Sequence, residues 1–180
     1  SALAADALFL GAVGTPAYDN APTAERPEAG LLALRRELDL FANLRPARAV
    51  EALLDASPLK PARARAMDLM IVRELTGGVY FGEPRGISRI GGNVRRGVNT
   101  HSYTTPQIER IARVAFELAR ERRGHVVSAD KANVMEAGQL WREVVDELHK
   151  AGFPDLTLEH LYADNLAMQL IDAPGRFDVI

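Results

Sequence analysis

Residues 105–123 constrain this chain most, because their pattern fits a helix with one buried stripe and little else. Thr105 can cap its start and Pro106 suits the first helical position. Ile108, Ile111, Ala112, Ala115, Leu118 and Ala119 then recur at helical spacing, and Gly124 ends the run. A short apolar strand is predicted from His125 to Ala129. A second helix follows over 136–151, with Leu140, Trp141, Val144, Val145 and Leu148 on one side and Gly152 as its stop. Residues 156–162 read as the next strand, Asp164 opens a short helix through Ile171, and Phe177 starts a last strand. Upstream, Asp68 to Val72 has the length and apolar density of a buried strand. This alternation predicts an α/β fold, a sheet flanked by helices.

The remaining segments are less regular. Ala7 to Val13 reads as a buried strand close to the start, and residues 177–180 as another at the end. Buried parallel strands need neighbours on both sides, so the sheet is expected to be incomplete at both ends and the chain to be part of something longer. Pro27 to Asn43 is a helix candidate, with Pro27 and Glu28 in its first turn and Leu31, Leu34, Leu38 and Phe41 at helical spacing. Residues 44–50 suggest a short extended piece, and 57–65, with two prolines, a loop or weak helix. The glycine- and arginine-rich stretch from Arg85 to Tyr103 predicts a protruding β-arm, whose arginines lack the aromatic interleaving of a nucleic-acid surface.

Bulk properties narrow the class. At 180 residues and 47% apolar, the chain is long enough for one sizeable core. Its 22 basic and 24 acidic residues argue against nucleic acid as a partner. Without cysteine there is neither a disulfide framework nor a thiolate site. No apolar stretch reaches the ~18 to 20 residues of a membrane span. A soluble, cytoplasmic protein is the expectation.

In α/β folds ligands collect where strands end and helices begin. Arg73, Lys131 and Asp164 each follow a predicted strand, so three charges of mixed sign are expected at the carboxyl edge of the sheet. Each has a structural alternative: Arg73 and Lys131 as solvated loop charges, Asp164 as a helix N-cap. Around Arg73 the stretch from Val72 to Gly86 is the most chemically loaded. Gly77 and Gly78 allow a tight turn or close approach to a ligand, and Tyr80 offers a phenol that can donate or accept a proton. A glycine turn with a covering tyrosine is the alternative.

Five segments carry a family resemblance: RPEAGLLALRRELDLFANLRP (26–46), VRELTGGVYFGEPRG (72–86), DKANV (130–134), LWREVV (140–145) and YADN (162–165). In order and spacing they resemble the β-decarboxylating dehydrogenases, the family of the isocitrate and isopropylmalate enzymes, and within it the isopropylmalate branch. The resemblance implies NAD-dependent oxidative decarboxylation of 3-isopropylmalate to 4-methyl-2-oxopentanoate in leucine biosynthesis, with magnesium or manganese. By matching position, Arg35, Arg45 and Arg73 would hold the substrate carboxylates, through the paired hydrogen bonds a guanidinium offers. Tyr80 would protonate the enol left after carbon dioxide departs, and Lys131 would help take the hydroxyl proton. Asp164 would be a metal ligand and Asn133 would lie near the nicotinamide. Glu28, Leu31 and Leu32 would line the pocket for the branched alkyl group, closed by Val134; packing of the helix is the other role open to the two leucines.

The resemblance also implies a homodimer, formed through the helices Leu140 to Leu148 and Asp164 to Ile171 and through the arm from Arg85 to Tyr103, with Lys131 and Asp164 serving the partner's site. It divides the chain into residues 1–40, part of the nucleotide-side domain, and 41–180, the substrate and dimerisation domain. Relatives carry further metal-binding aspartates and adenosine-binding loops outside these 180 residues, so the chain alone is expected not to turn over. Ala129, Ala163 and Leu166 depart from the family's usual residues and bear on packing. Two other readings are a relative acting on another 2-hydroxy acid and a non-catalytic dimerising fragment.

Overall fold

The computed structural model describes residues 2–22 and 25–180, in two compact units, one up to Phe41 and the other from Ala42 to Ile180. The first holds short 3₁₀ turns at Ala2–Ala4 and Pro16–Tyr18 and one helix, α1 (Pro27–Glu37), started by Pro27. The helix is shorter than its periodicity predicts. Asp39 adopts φ 46°, a left-handed conformation that no helix continues through, and the backbone is already in a strand by Ala42. The predicted strand at residues 7–13 does not form. Among the described residues nothing takes up its backbone hydrogen bonds, and Phe9 is fully exposed, because an apolar run becomes a strand only beside a partner.

The second unit runs β1 (Ala42–Arg48), α2 (Pro61–Arg65), β2 (Asp68–Glu74), β3 (Gly82–Gly91), β4 (Val94–Thr100), α3 (Thr105–Arg120), β5 (His125–Asp130), α4 (Glu136–Gly152), β6 (Thr157–Tyr162) and α5 (Ala163–Asp172). β1 and β2 pair antiparallel with Arg45 opposite Ile71, and β5 and β6 pair parallel with Val126 opposite Leu158. Residues 177–180 lie between these pairs and join them. Met70 N donates to Asp178 O at 2.8 Å and Ile180 N to Met70 O at 2.8 Å, while Val127 N donates to Val179 O at 2.8 Å on the other side. The sheet order is therefore β1, β2, 177–180, β5, β6, parallel except for its edge strand β1. The buried Asp178 carboxylate anchors the inserted segment by accepting from Arg122 Nε and Arg123 N, both at 2.8 Å.

Helices cover both faces, as a mostly parallel sheet requires. On one, Ile108, Ala112, Ala115 and Phe116 of α3 and Val144 and Val145 of α4 pack on Met70, Val72, Val126 and Val179. Phe116, with no exposed surface, stacks on Phe153 at 4.9 Å between ring centroids. On the other, Leu166 and Leu170 of α5 pack on Leu69, Val127 and Phe177. The start of α3 sits one residue earlier than expected: Thr104, not Thr105, is the cap, and Gln107 reaches back to accept from its N–H at 2.9 Å. β3 and β4 form the expected arm, an exposed two-stranded hairpin with Arg89 opposite Arg95.

Candidate active site at the carboxyl edge of the sheet

β2 ends in Arg73 and Glu74, and the period-two alternation sends them to opposite faces. Arg73 shares the α5 face with Arg45, since Asn43 lies opposite Arg73 and Arg45 opposite Ile71. Glu74 falls on the α3 face with Met70 and Val72, and its side chain is 1% exposed. It accepts from Thr76 N at 2.9 Å, Thr76 Oγ1 at 2.6 Å, Gly77 N at 2.6 Å and Arg110 Nη2 of α3 at 3.3 Å. A carboxylate so surrounded locks the turn that follows the strand. The chain then enters a 3₁₀ turn, Gly78–Tyr80, which brings the Tyr80 ring under the Arg73 guanidinium at 5.2 Å. Tyr103 lies flat against the turn; a Cβ on Gly77 would stand 2.7 Å from its Cδ1, and one on Gly78 2.4 Å from its hydroxyl. Burial raises the Tyr103 phenol above its ordinary value, and the nearby Glu74 charge adds to that.

β5 ends in the same way. Asp130, whose side chain has no exposed surface, accepts from Arg142 of α4 at 2.9 and 3.0 Å and from Ala132 N at 2.9 Å. Lys131, on the opposite face, donates to Asp164 Oδ1 at 2.6 Å. β6 is the parallel neighbour of β5, so the residues leaving the two strands meet. The hydrogen bond from Lys131, more than its charge, holds the Asp164 carboxyl below the usual carboxylate range. Asn133 and Val134 are exposed on the turn after Lys131, where Val134 N donates to Lys131 O at 3.1 Å. Gly138 of α4 lies against this turn, with room for no side chain: a Cβ would meet Ala132 N at 2.7 Å.

Two hollows open between these strand ends. One, of about 360 Å³, is walled by Arg73, Glu74 and Tyr80 together with Ser128 and Ile180; the other, of about 220 Å³, by His101, Asp130, Lys131 and Met135. Tyr103 and Trp141 border both, in edge-to-face contact at 5.0 Å, with Trp141 Nε1 donating to Ser128 Oγ at 3.2 Å.

Of the residues singled out in the sequence, the fold brings Arg73 to Tyr80 and Lys131 to Asp164, and sets Arg45 on the face of Arg73. Glu28, Leu31, Leu32 and Arg35 all lie on α1 in the first unit, Leu32 exposed, Leu31 and Arg35 half-buried, and the Glu28 carboxylate beside Gly14. The apolar side of α4 (Leu140, Trp141, Val144, Val145, Leu148) packs into this chain's own core, while α5 leaves Met168 and Ile171 exposed and the arm leaves Ile87, Ile90 and Val94. Sequence reasoning missed Glu74, Arg110, Asp130 and Arg142. Glu74 reads as a solvated strand-end charge, yet alternation puts it two residues past Val72 on the buried face, a signal that was available.

Among the described residues no three of His, Asp and Glu come together as a metal cage. Asp164 offers one hard oxygen donor where a magnesium-like ion takes about six, and its carboxyl is held below the usual range, so its chemistry fits such an ion only as a contributor to a larger site. Asn133 presents an exposed amide, donor and acceptor both, which suits a carboxamide such as that of nicotinamide.

Comparison with known proteins shows the family of the chain. The family described as "Isocitrate/isopropylmalate dehydrogenase" matches residues 1–180. The 3-isopropylmalate dehydrogenase of Pelagibacter ubique (strain HTCC1062) is 58% identical over 179 residues, 99% of this chain and 49% of the relative. That of Gluconobacter oxydans (strain 621H) is 57% identical over 175 residues, 97% of this chain and 47% of the relative. The Caulobacter vibrioides enzyme is 58% identical, again over 99% of this chain and 51% of its own length. The chain spans about half the length of the curated relatives it matches.

Proposed function

Because the chain belongs to the isocitrate/isopropylmalate dehydrogenase family, we propose that the whole protein oxidises and decarboxylates 3-isopropylmalate with NAD, yielding 4-methyl-2-oxopentanoate for leucine biosynthesis in the cytoplasm. The observation that carries this reading is the pairing of Arg73 with Tyr80, a carboxylate-binding cation 5.2 Å from the ring of a proton donor, at the carboxyl end of a central strand.

Arg35, Arg45 and Arg73 hold the two carboxylates of the acid, each bidentate contact fixing both position and plane. Lys131 helps take the proton of the substrate hydroxyl on its neutral amine, which becomes the ammonium, and the 2.6 Å hydrogen bond to Asp164 Oδ1 sets where its Nζ stands. After carbon dioxide leaves, the Tyr80 phenol gives its proton to the carbon that carried the carboxylate, and the ketone forms. A magnesium or manganese ion would be held in part by Asp164 and would supply Lewis acidity, and NAD, bound near Asn133, would supply the hydride acceptor. Glu28, Leu31, Leu32 and Val134 surround the isopropyl group. Residues up to 40 belong to the nucleotide side, and those from 41 to the substrate and dimer side.

The protein works as a homodimer in which Lys131 and Asp164 complete the partner's site. Support for this comes from the exposed Met168 and Ile171 of α5 and Ile87, Ile90 and Val94 of the arm. Formation of NADH by the full-length protein with magnesium tests the reading, with 3-isopropylmalate set against 3-methylmalate, homoisocitrate and tartrate. 3-Isopropylmalate is expected to be the best substrate and Leu31→Glu to erode that preference. A better rate with one of the others overturns the substrate assignment, and no NADH with any of them overturns the reaction.

A further inference from the structure

The geometry points to Glu74 as a positioning residue for Tyr80, acting through the turn between them and not on the substrate. It rests on the reading above, in which Tyr80 delivers the proton. Three observations carry it. First, the Glu74 carboxylate, 1% exposed, gathers donors that lie between it and Tyr80: the N–H and hydroxyl of Thr76 and the N–H of Gly77, all within 2.9 Å. Second, the far side of that turn is closed. Tyr103 fills the space where side chains on Gly77 and Gly78 would stand, and Gly78 N donates to Ser102 O at 2.8 Å. Third, the 3₁₀ turn Gly78–Tyr80 begins at the next residue, so the position fixed at Gly77 is transmitted over three residues to the phenol.

Arg73 does not depend on the clip in this way, because it sits within β2, in register with Asn43 of β1. Removing the clip therefore frees the proton donor while leaving the carboxylate-binding cation in its ladder. Arg110 of α3, bonded to both Glu74 and the Thr76 hydroxyl, ties the clip to the most regular helix of the fold.

The test is a double-mutant cycle in the full-length protein, with Glu74→Gln, Tyr80→Phe and the pair, reading kcat and KM for 3-isopropylmalate with melting curves alongside. Expected is a fall in kcat of about tenfold to a hundredfold for Glu74→Gln with KM little changed, as misplacing a reacting group costs. In the Tyr80→Phe background the same change is expected to add almost nothing. Thr76→Val, which removes one donor and leaves the Glu74 charge in place, is expected to repeat the pattern more weakly; it also serves if Glu74→Gln does not fold. Losses that multiply with Tyr80→Phe, or a raised KM at constant kcat, overturn the positioning role alone. A Tyr80→Phe enzyme with unimpaired turnover instead overturns the reading of the reaction on which the role depends.

Discussion

Lys131 and Asp164 are joined by an ion pair of 2.6 Å although 33 residues separate them. The pair exists because β5 and β6 are parallel neighbours, so the residues just beyond each strand, Lys131 one past β5 and Asp164 two past β6, emerge side by side. Its side chains are 34% and 69% exposed, which leaves both groups within reach of a ligand and makes the pair a weak contributor to stability.

From that exposure, Lys131→Met in the full-length protein is expected to leave the melting temperature unchanged. Its turnover with 3-isopropylmalate is expected to drop by about 10²- to 10⁴-fold, the loss typical of a removed general acid–base group. Steady-state kinetics and a thermal melt on one preparation check both halves. A large fall in melting temperature would instead assign Lys131 a structural role.

Gly138 gives a second prediction. A Cβ there would lie 2.7 Å from Ala132 N and 2.8 Å from the Lys131 carbonyl carbon, both backbone atoms that cannot swing aside. Gly138→Ala is expected to cost about 1–3 kcal/mol, in the range of other overpacked sites, and to lower kcat by pushing Lys131 out of place. Gly152→Ala, at the end of the same helix with open space around it, is the control expected to do neither. Urea unfolding and kinetics compare the two.

Phe116 is the centre of the α3–α4 core, fully buried and stacked on Phe153. Phe116→Ala is expected to destabilise by about 3–5 kcal/mol, combining lost transfer energy with an unfilled cavity. A loss below about 1 kcal/mol in chemical denaturation would mean that the neighbours collapse into the space.

Tyr103 predicts an alkaline limit. Its phenol is raised above the ordinary value by burial, so between the ordinary and the raised value the unfolded chain loses this proton while the folded protein keeps it. Stability from this group is thus complete below about pH 10, the ordinary tyrosine value, and declines as the pH climbs toward the folded one. Denaturation at stepped alkaline pH checks it; Tyr103→Phe is expected to flatten that part of the decline, and an unchanged slope would contradict it.

Much of this was legible in the residues themselves. The stripe Ile108–Ile111–Ala112–Ala115 specifies α3 through periodicity alone, and the Arg73, Tyr80, Lys131 and Asp164 motifs are local strings that carry their own chemistry. The period-two rule even held the burial of Glu74 and Asp130, had it been applied to charges as well as to apolar residues. Residues 7–13 misled for the opposite reason, since their apolar character is local but a strand is a relation between two segments.

The sequence by itself thus determined the helices, the strand-end charges and the family, because each depends on spacing within a few residues. Only the tertiary structure decided that residues 177–180 enter the sheet between β2 and β5. It alone set Arg110 on Glu74 and Arg142 on Asp130, and closed Lys131 on Asp164. Those pairings join segments far apart in the chain, and their partners become identifiable only once the sheet order has fixed which strand ends are neighbours.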